Sequence, residues 1–154
     1  MTENLLVTAL ARHLRTELHA FLLDDARGGE AAVSVHEGWL PAKHGEDNGD
    51  FPFVVVRPVE GSIGREGSQT TVELICGVYD RESTGWKTAV NVVRRAMNAL
   101  LFLPAGMLER RWMLAMPLEW KVAEEQPYPA WMVSVTTVWT ARTPETLPAD
   151  MENI

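Results

Sequence analysis

Residues 69–80, QTTVELICGVYD, alternate in character along their whole length. Thr70, Val72, Leu74, Cys76 and Val78 form one set; Thr71, Glu73, Ile75, Gly77 and Tyr79 form the other. A period of two residues belongs to a strand whose faces meet different surroundings. The even-numbered set is the more apolar and is expected to face the core. The period then changes. Trp86, Val90, Val93, Met97, Leu100 and Leu101 recur at helical spacing within 81–104, and Lys87, Asn91, Arg94, Arg95 and Asn98 fall on the opposite arc. Ser83 and Thr84 are candidate caps for this helix, and Pro104 stops it. A strand feeding directly into an amphipathic helix requires a sheet with a helix packed on it.

The remaining segments extend that plan. Residues 3–24 carry Leu6, Leu10, Leu14, Leu18 and Phe21 on one arc, with Val7 and Leu22 at its edge, and predict a helix capped by Thr2 and ended by the Gly28–Gly29 pair. Residues 32–40 predict a short strand, and 41–50 a polar loop. FPFVVVRP at 51–58 is a strand whose prolines argue for its ends or for an edge position. Residues 110–123 predict a strand broken or bent at Pro117, and 130–141 a long strand with Trp131, Val133, Val135, Thr137 and Trp139 on one face. The order α-β-β-β-α-β-β with short turns argues for an α+β fold: a mostly antiparallel sheet with two helices packed on it. At 154 residues the chain fits one domain over 1–142, with a loose tail at 143–154.

The glycines of VEGSIGREGSQ, at 61, 64 and 67, raise the question of a phosphate cradle. Such a cradle needs a strand, then glycines, then a helix whose N-terminal amides meet the anion. Here strands are predicted on both sides, so the segment 58–69 reads as a long hairpin tip. Glu60, Arg65 and Glu66 give that tip charges to present to a partner.

Other candidate chemistry is sparse. The single cysteine, Cys76, sits in mid-strand on the apolar face and reads as a small hydrophobe; alone it also excludes an internal disulfide. His36, Glu37, His44, Glu46, Asp47 and Asp50 cluster in sequence, but their spacing matches no metal-ligand pattern. His13 and His19 are six residues apart and do not share a helical face. No nucleophile elbow and no nucleophile–base set can be assembled, so the expectation is a non-enzyme with neither cofactor nor metal. The net charge of −7 argues against specific nucleic-acid binding, because phosphate contacts normally require a basic protein. No apolar run is long enough to span a bilayer and no secretory leader is visible, so a cytoplasmic protein is expected. Of six tryptophans, Trp120 and Trp131 flank the turn EEQPYP and are the two suspected of facing a neighbour.

The phrases FPFVVVRPVEG, ICGVYDRESTGW, VNVVRRAMNALL, PLEW and EEQPYPAWMVSVTTVW, in this order, resemble a family of small proteins of long-tailed phages and prophages: the tail terminator, or tail completion, proteins of the head–tail junction. The resemblance covers about residues 50–142 and carries no catalytic signature. It implies an α+β fold, a homo-oligomeric, hexameric ring, and contacts with the tail tube protein and head–tail connector proteins. DNA would pass through the ring, and the protein would reside in the host cytoplasm during assembly and in the virion tail or neck afterwards. Another neck or connector component is the alternative within this class. A small cytoplasmic ligand-binding domain or enzyme around His36 and His44 is one alternative outside it. A nucleic-acid module built on Arg94, Arg95, Arg110 and Arg111 is another.

Overall fold

The computed structural model describes residues 3–40 and 50–142. Thr2, the loop at 41–49 and the tail at 143–154, each assigned a role from sequence, lie outside the described residues. The fold is α+β, as the segment order predicts. The chain runs through α1 (Glu3–Leu18), β1 (Leu22–Asp24), β2 (Glu30–Ala32), β3 (Ser34–Glu37), β4 (Phe53–Ile63), β5 (Gly67–Tyr79) and α2 (Gly85–Leu101). A 3-10 turn at Pro104–Gly106 leads to β6 (Met107–Leu108), β7 (Trp112–Leu114), β8 (Glu119–Val122) and β9 (Ala130–Arg142).

The main sheet has the order β3-β4-β5-β9-β7-β6, with β8 also paired to β9. β5 and β9 are antiparallel over all thirteen of their residues, from Gly67↔Arg142 to Tyr79↔Ala130. β7 and β8 share the other edge of β9, one on each side of Pro117, so the break predicted there is observed. One pair, β3 with β4, is parallel. Both helices lie on one face: α1 over β3 and β4, α2 over β5 and β9. The core between the layers takes Leu6, Leu10 and Leu14 from α1, and Val92, Val93 and Leu100 from α2. The sheet contributes Thr70, Val72, Leu74, Cys76 and Val78, all buried, so the even set of β5 does face inward. The other sheet face carries a smaller cluster of Phe51, Phe53 and Val55.

Several boundaries depart from the expectations. α1 ends at Leu18, not 24, and the glycine pair belongs to the turn of a β1–β2 hairpin. The cause is local. The Asp24 carboxylate accepts the Ala26 N–H at 2.8 Å, and that of Asp25 accepts Arg27 N–H at 2.8 Å and Gly29 N–H at 3.0 Å. These bonds offer the backbone an alternative to the helical ladder. The segment 32–40 is not one strand: β2 ends at Ala32, and β3 stops before Gly38, whose φ is 79°. β4 does not end at Pro58 but bulges between Pro58 and Glu60 and continues to Ile63. Its outer partner β3 stops at Val56, so Pro58 lies where β4 has become an edge and its missing donor costs least. Thr84 occupies the α2 N-cap but makes no side-chain capping bond. On α2, Val93, Met97 and Leu100 are buried as expected, but Trp86, in the first turn, is 44% exposed and Leu101 47%. The buried arc is centred on Ala89, Val92, Val93, Ala96 and Leu100, whose small members let the helix approach the sheet.

Candidate interaction surfaces

Beyond Val56, β4 runs on without β3, and its end forms with β5 a long hairpin, here called the tongue, in a sheet that still continues through β9 to β7. β4 contributes Arg57–Ile63, β5 pairs with it, and β9 runs alongside to Arg142. The chain reverses between Gly64 and Gly67, joined by the bond from Gly64 N–H to the Gly67 carbonyl at 2.8 Å. The hairpin read from the glycines is therefore present, with a tighter tip and longer strands than 58–69 suggests. The glycines serve close approach. A Cβ at Gly67 would lie 2.2 Å from the Ala141 carbonyl oxygen, and one at Gly61 would lie 2.9 Å from that of Gln69. Glu60, Arg65 and Glu66 are all exposed on this tongue. Sequence reading missed their apolar companions: Val59 is 52% exposed and Ile63 84%. A lone isoleucine between Gly61 and Gly64 in a polar stretch is the signal that could have found it. Under the tongue, an open depression of about 360 Å³ is bounded by Pro58, Val59, Ile63, Thr70 and Glu3 at the start of α1.

A second surface lies at the opposite edge of the sheet, where α2 and β8 both border β9. The flank of α2 nearest α1 is identified by two contacts: the Ala99 carbonyl lies 3.0 Å from His13 Nε2, and the Arg95 guanidinium sits over the Phe21 ring at 4.9 Å. The other flank carries Trp86 and Val90, by helical spacing. β8 pairs Trp120 with Val135 and Val122 with Val133, which places both on the helix side of the sheet. Val90, Leu118 and Val122 are partly buried against the core, while Trp86 and Trp120 remain exposed at 44% and 51%. The result is an apolar shelf with two aromatic rims. Lys87 and Arg94 border it on α2, a helix with no acidic residue. The Lys87 ammonium lies 5.7 Å from the centre of the Trp86 ring.

Trp131, the other suspected contact residue, is engaged within the chain. Its indole N–H donates to the Asp80 carbonyl at 2.8 Å, and Tyr128 packs edge-on against it at 6.1 Å. Gly85 opens α2 beside it, and a Cβ there would meet Trp131 Nε1 at 2.2 Å. Gln126 braces the same turn: its amide oxygen accepts Met132 N–H at 2.6 Å and its amide nitrogen donates to the Ala123 carbonyl at 2.8 Å. Trp131 thus pins the junction of β5, α2 and β9.

The residues considered for chemistry are placed apart. Cys76 is fully buried, and desolvation pushes its thiol up to about 12. His36 stands beside Val55 in the parallel ladder, with Nε2 buried and without a hydrogen-bond partner among the described residues. Glu37 accepts the Thr8 hydroxyl at 2.6 Å. His44, Glu46 and Asp47 lie outside the described residues, among which no three His, Cys, Asp or Glu side chains form a metal-holding group. Arg95 is stacked on Phe21, while Arg94 points to a different side of α2. Among the described residues no helix is long and apolar enough to cross a membrane. No protein-family model matches the chain, and no curated protein matches it.

Proposed function

We propose that this protein is a structural component of a phage or prophage head–tail junction, most plainly a tail terminator. It would assemble as a homo-oligomeric ring on the tail tube and present a surface to the connector proteins of the head. The observation that carries this reading is the pair of separate exposed surfaces, tongue and shelf, on different edges of one sheet. Closed rings are built from heterologous contacts, in which one patch of a subunit meets a different patch of the next. The family-like phrases support the same reading, because they fall on β4, β5, α2, β8 and β9, which adjoin in space and include both surfaces.

Removing the gene from its phage or prophage tests the role. The expected result by electron microscopy is filled heads and free tails that do not join, with restoration when the protein is supplied. Complete virions without the protein would refute it. Light scattering over a concentration series tests the ring, with a species near six times 17.2 kDa expected.

A further inference from the structure

We infer that the tongue of one copy docks on the α2–β8 shelf of a second copy, making the repeating contact of the assembly. The inference rests on the ring reading above and adds the two faces that meet. The surfaces match in chemistry. The tongue offers Val59 and Ile63, the latter 84% exposed, and carries two acids, Glu60 and Glu66, to one base, Arg65. The shelf offers the half-exposed rings of Trp86 and Trp120, bordered by Lys87 and Arg94 with no acid on the helix. An apolar centre ringed by opposite charges is the anatomy of a protein–protein contact, and tryptophan is the residue most enriched at its energetic centre.

The surfaces match in topology as well. The tongue extends β4 and β5, while the shelf belongs to β8 on the far side of β9. A contact between them is therefore head-to-tail and leaves a free tongue and a free shelf on every pair. Such a contact propagates until it closes. The tongue presents an open edge. β5 is paired on both sides as far as Gly67, which stiffens the hairpin, while the outer edge of β4 has no strand partner past Val56 among the described residues. Glu60 and Ile63 fall on opposite sides of the tongue, because Glu60 pairs with Thr71 and Ile63 with Ser68. Ile63 would thus seat against the indole rings while Glu60 and Glu66 reach the rim cations.

The test uses Ile63→Cys and Trp120→Cys in separate full-length chains of different tag mass, mixed under mild oxidation. The native Cys76 is buried and does not compete. A mixed disulfide dimer is expected, in clear excess over the homodimer of either variant alone. Glu60→Lys with Glu66→Lys is expected to weaken self-association about tenfold or more. Lys87→Glu with Arg94→Glu on the partner chain should restore it, and added salt should weaken the wild-type contact. Far-UV circular dichroism checks that each variant is folded. A ring that persists in Ile63→Asp and Trp120→Ala would overturn this contact while leaving the ring reading intact. Failure of the mixed disulfide to form at any concentration would also overturn it, and the gene-removal experiment then judges the function separately.

Discussion

In a strand, replacing glycine by alanine ordinarily stabilises a protein by about 0.5–1 kcal/mol, because glycine loses more chain entropy on folding. At Gly77 the sign should reverse. Gly77 pairs with Phe53 across β4 and β5, and the phenyl ring lies over the space where a side chain would stand. An added Cβ would sit 2.3 Å from Cζ and 2.4 Å from Cε2 of that ring. Comfortable carbon contacts begin near 3.5 Å, so the ring has to retreat by more than about 1 Å. Its retreat is resisted by Phe51, 5.2 Å away between centroids, and Phe53 itself is only 2% exposed. Overpacking of this kind costs about 1–3 kcal/mol, which exceeds the entropic gain. Thermal melting of Gly77→Ala should fall by roughly 2–4 °C for each kcal/mol lost. The decisive assay is a double-mutant cycle in urea. Phe53→Ala alone should cost about 3–5 kcal/mol. In the double variant the new methyl occupies part of the space the ring vacated, so the loss should be smaller than the sum by about 1–2 kcal/mol. Additivity within about 0.5 kcal/mol would refute the collision as the cause.

Three further outcomes are expected. Cys76, with its thiol pushed up to about 12 by burial, should be almost inert to thiol reagents at pH 8 in the native state and react at the ordinary rate once unfolded in guanidinium. Thr137→Val keeps the shape of a side chain whose hydroxyl donates to the Val72 carbonyl and accepts the Trp139 indole N–H, both at 2.7 Å. It leaves that buried N–H unpaired and should cost about 1–3 kcal/mol by denaturant unfolding, whereas a surface Thr136→Val should be near neutral. The Asp25 carboxyl is held below its usual value first by the Arg27 backbone N–H and then by that of Gly29. Its stabilisation of the β1–β2 turn is therefore complete above the ordinary carboxylate range and lost as pH falls through the lowered value. Amide exchange at Arg27 and Gly29 should quicken over that acidic interval, and Asp25→Asn should remove the pH dependence.

How much of this was legible depended on how far each segment's surroundings differed from side to side. β5 and β9 were readable because each is buried on one face and partly open on the other for thirteen residues, long enough for alternation to show. β1, β6 and β7, at two or three residues, are too short to display any period. The helical period announced α2, but a period does not show how far along the helix the packing extends: Trp86 shares a face with the buried Val93 and Met97 yet stands exposed in the first turn. The charges of the tongue could be found because glycines mark its tip. The two suspected tryptophans could not be told apart from sequence. Trp120 sits on a four-residue edge strand, while Trp131 opens a long strand next to the Asp80 carbonyl that captures it. That difference is made by pairing partners at a distance of 51 residues for the Asp80–Trp131 bond.

The central place of β9 has a consequence for how the protein is made. It is the partner of β5 along its whole length and, among the described residues, the only strand that β8 pairs with, yet it follows every other described strand in chain order. During synthesis, α1, the β4–β5 hairpin and α2 therefore leave the ribosome before the piece that joins them to β7 and β8. Until residue 142 has emerged, a thirteen-residue edge of β5 lies bare, and unsatisfied edges invite strands from other chains. The nascent chain must be kept from its neighbours through that interval. Ribosome-bound chains stalled before residue 130 should accordingly be captured by chaperones, and those released after residue 142 should not.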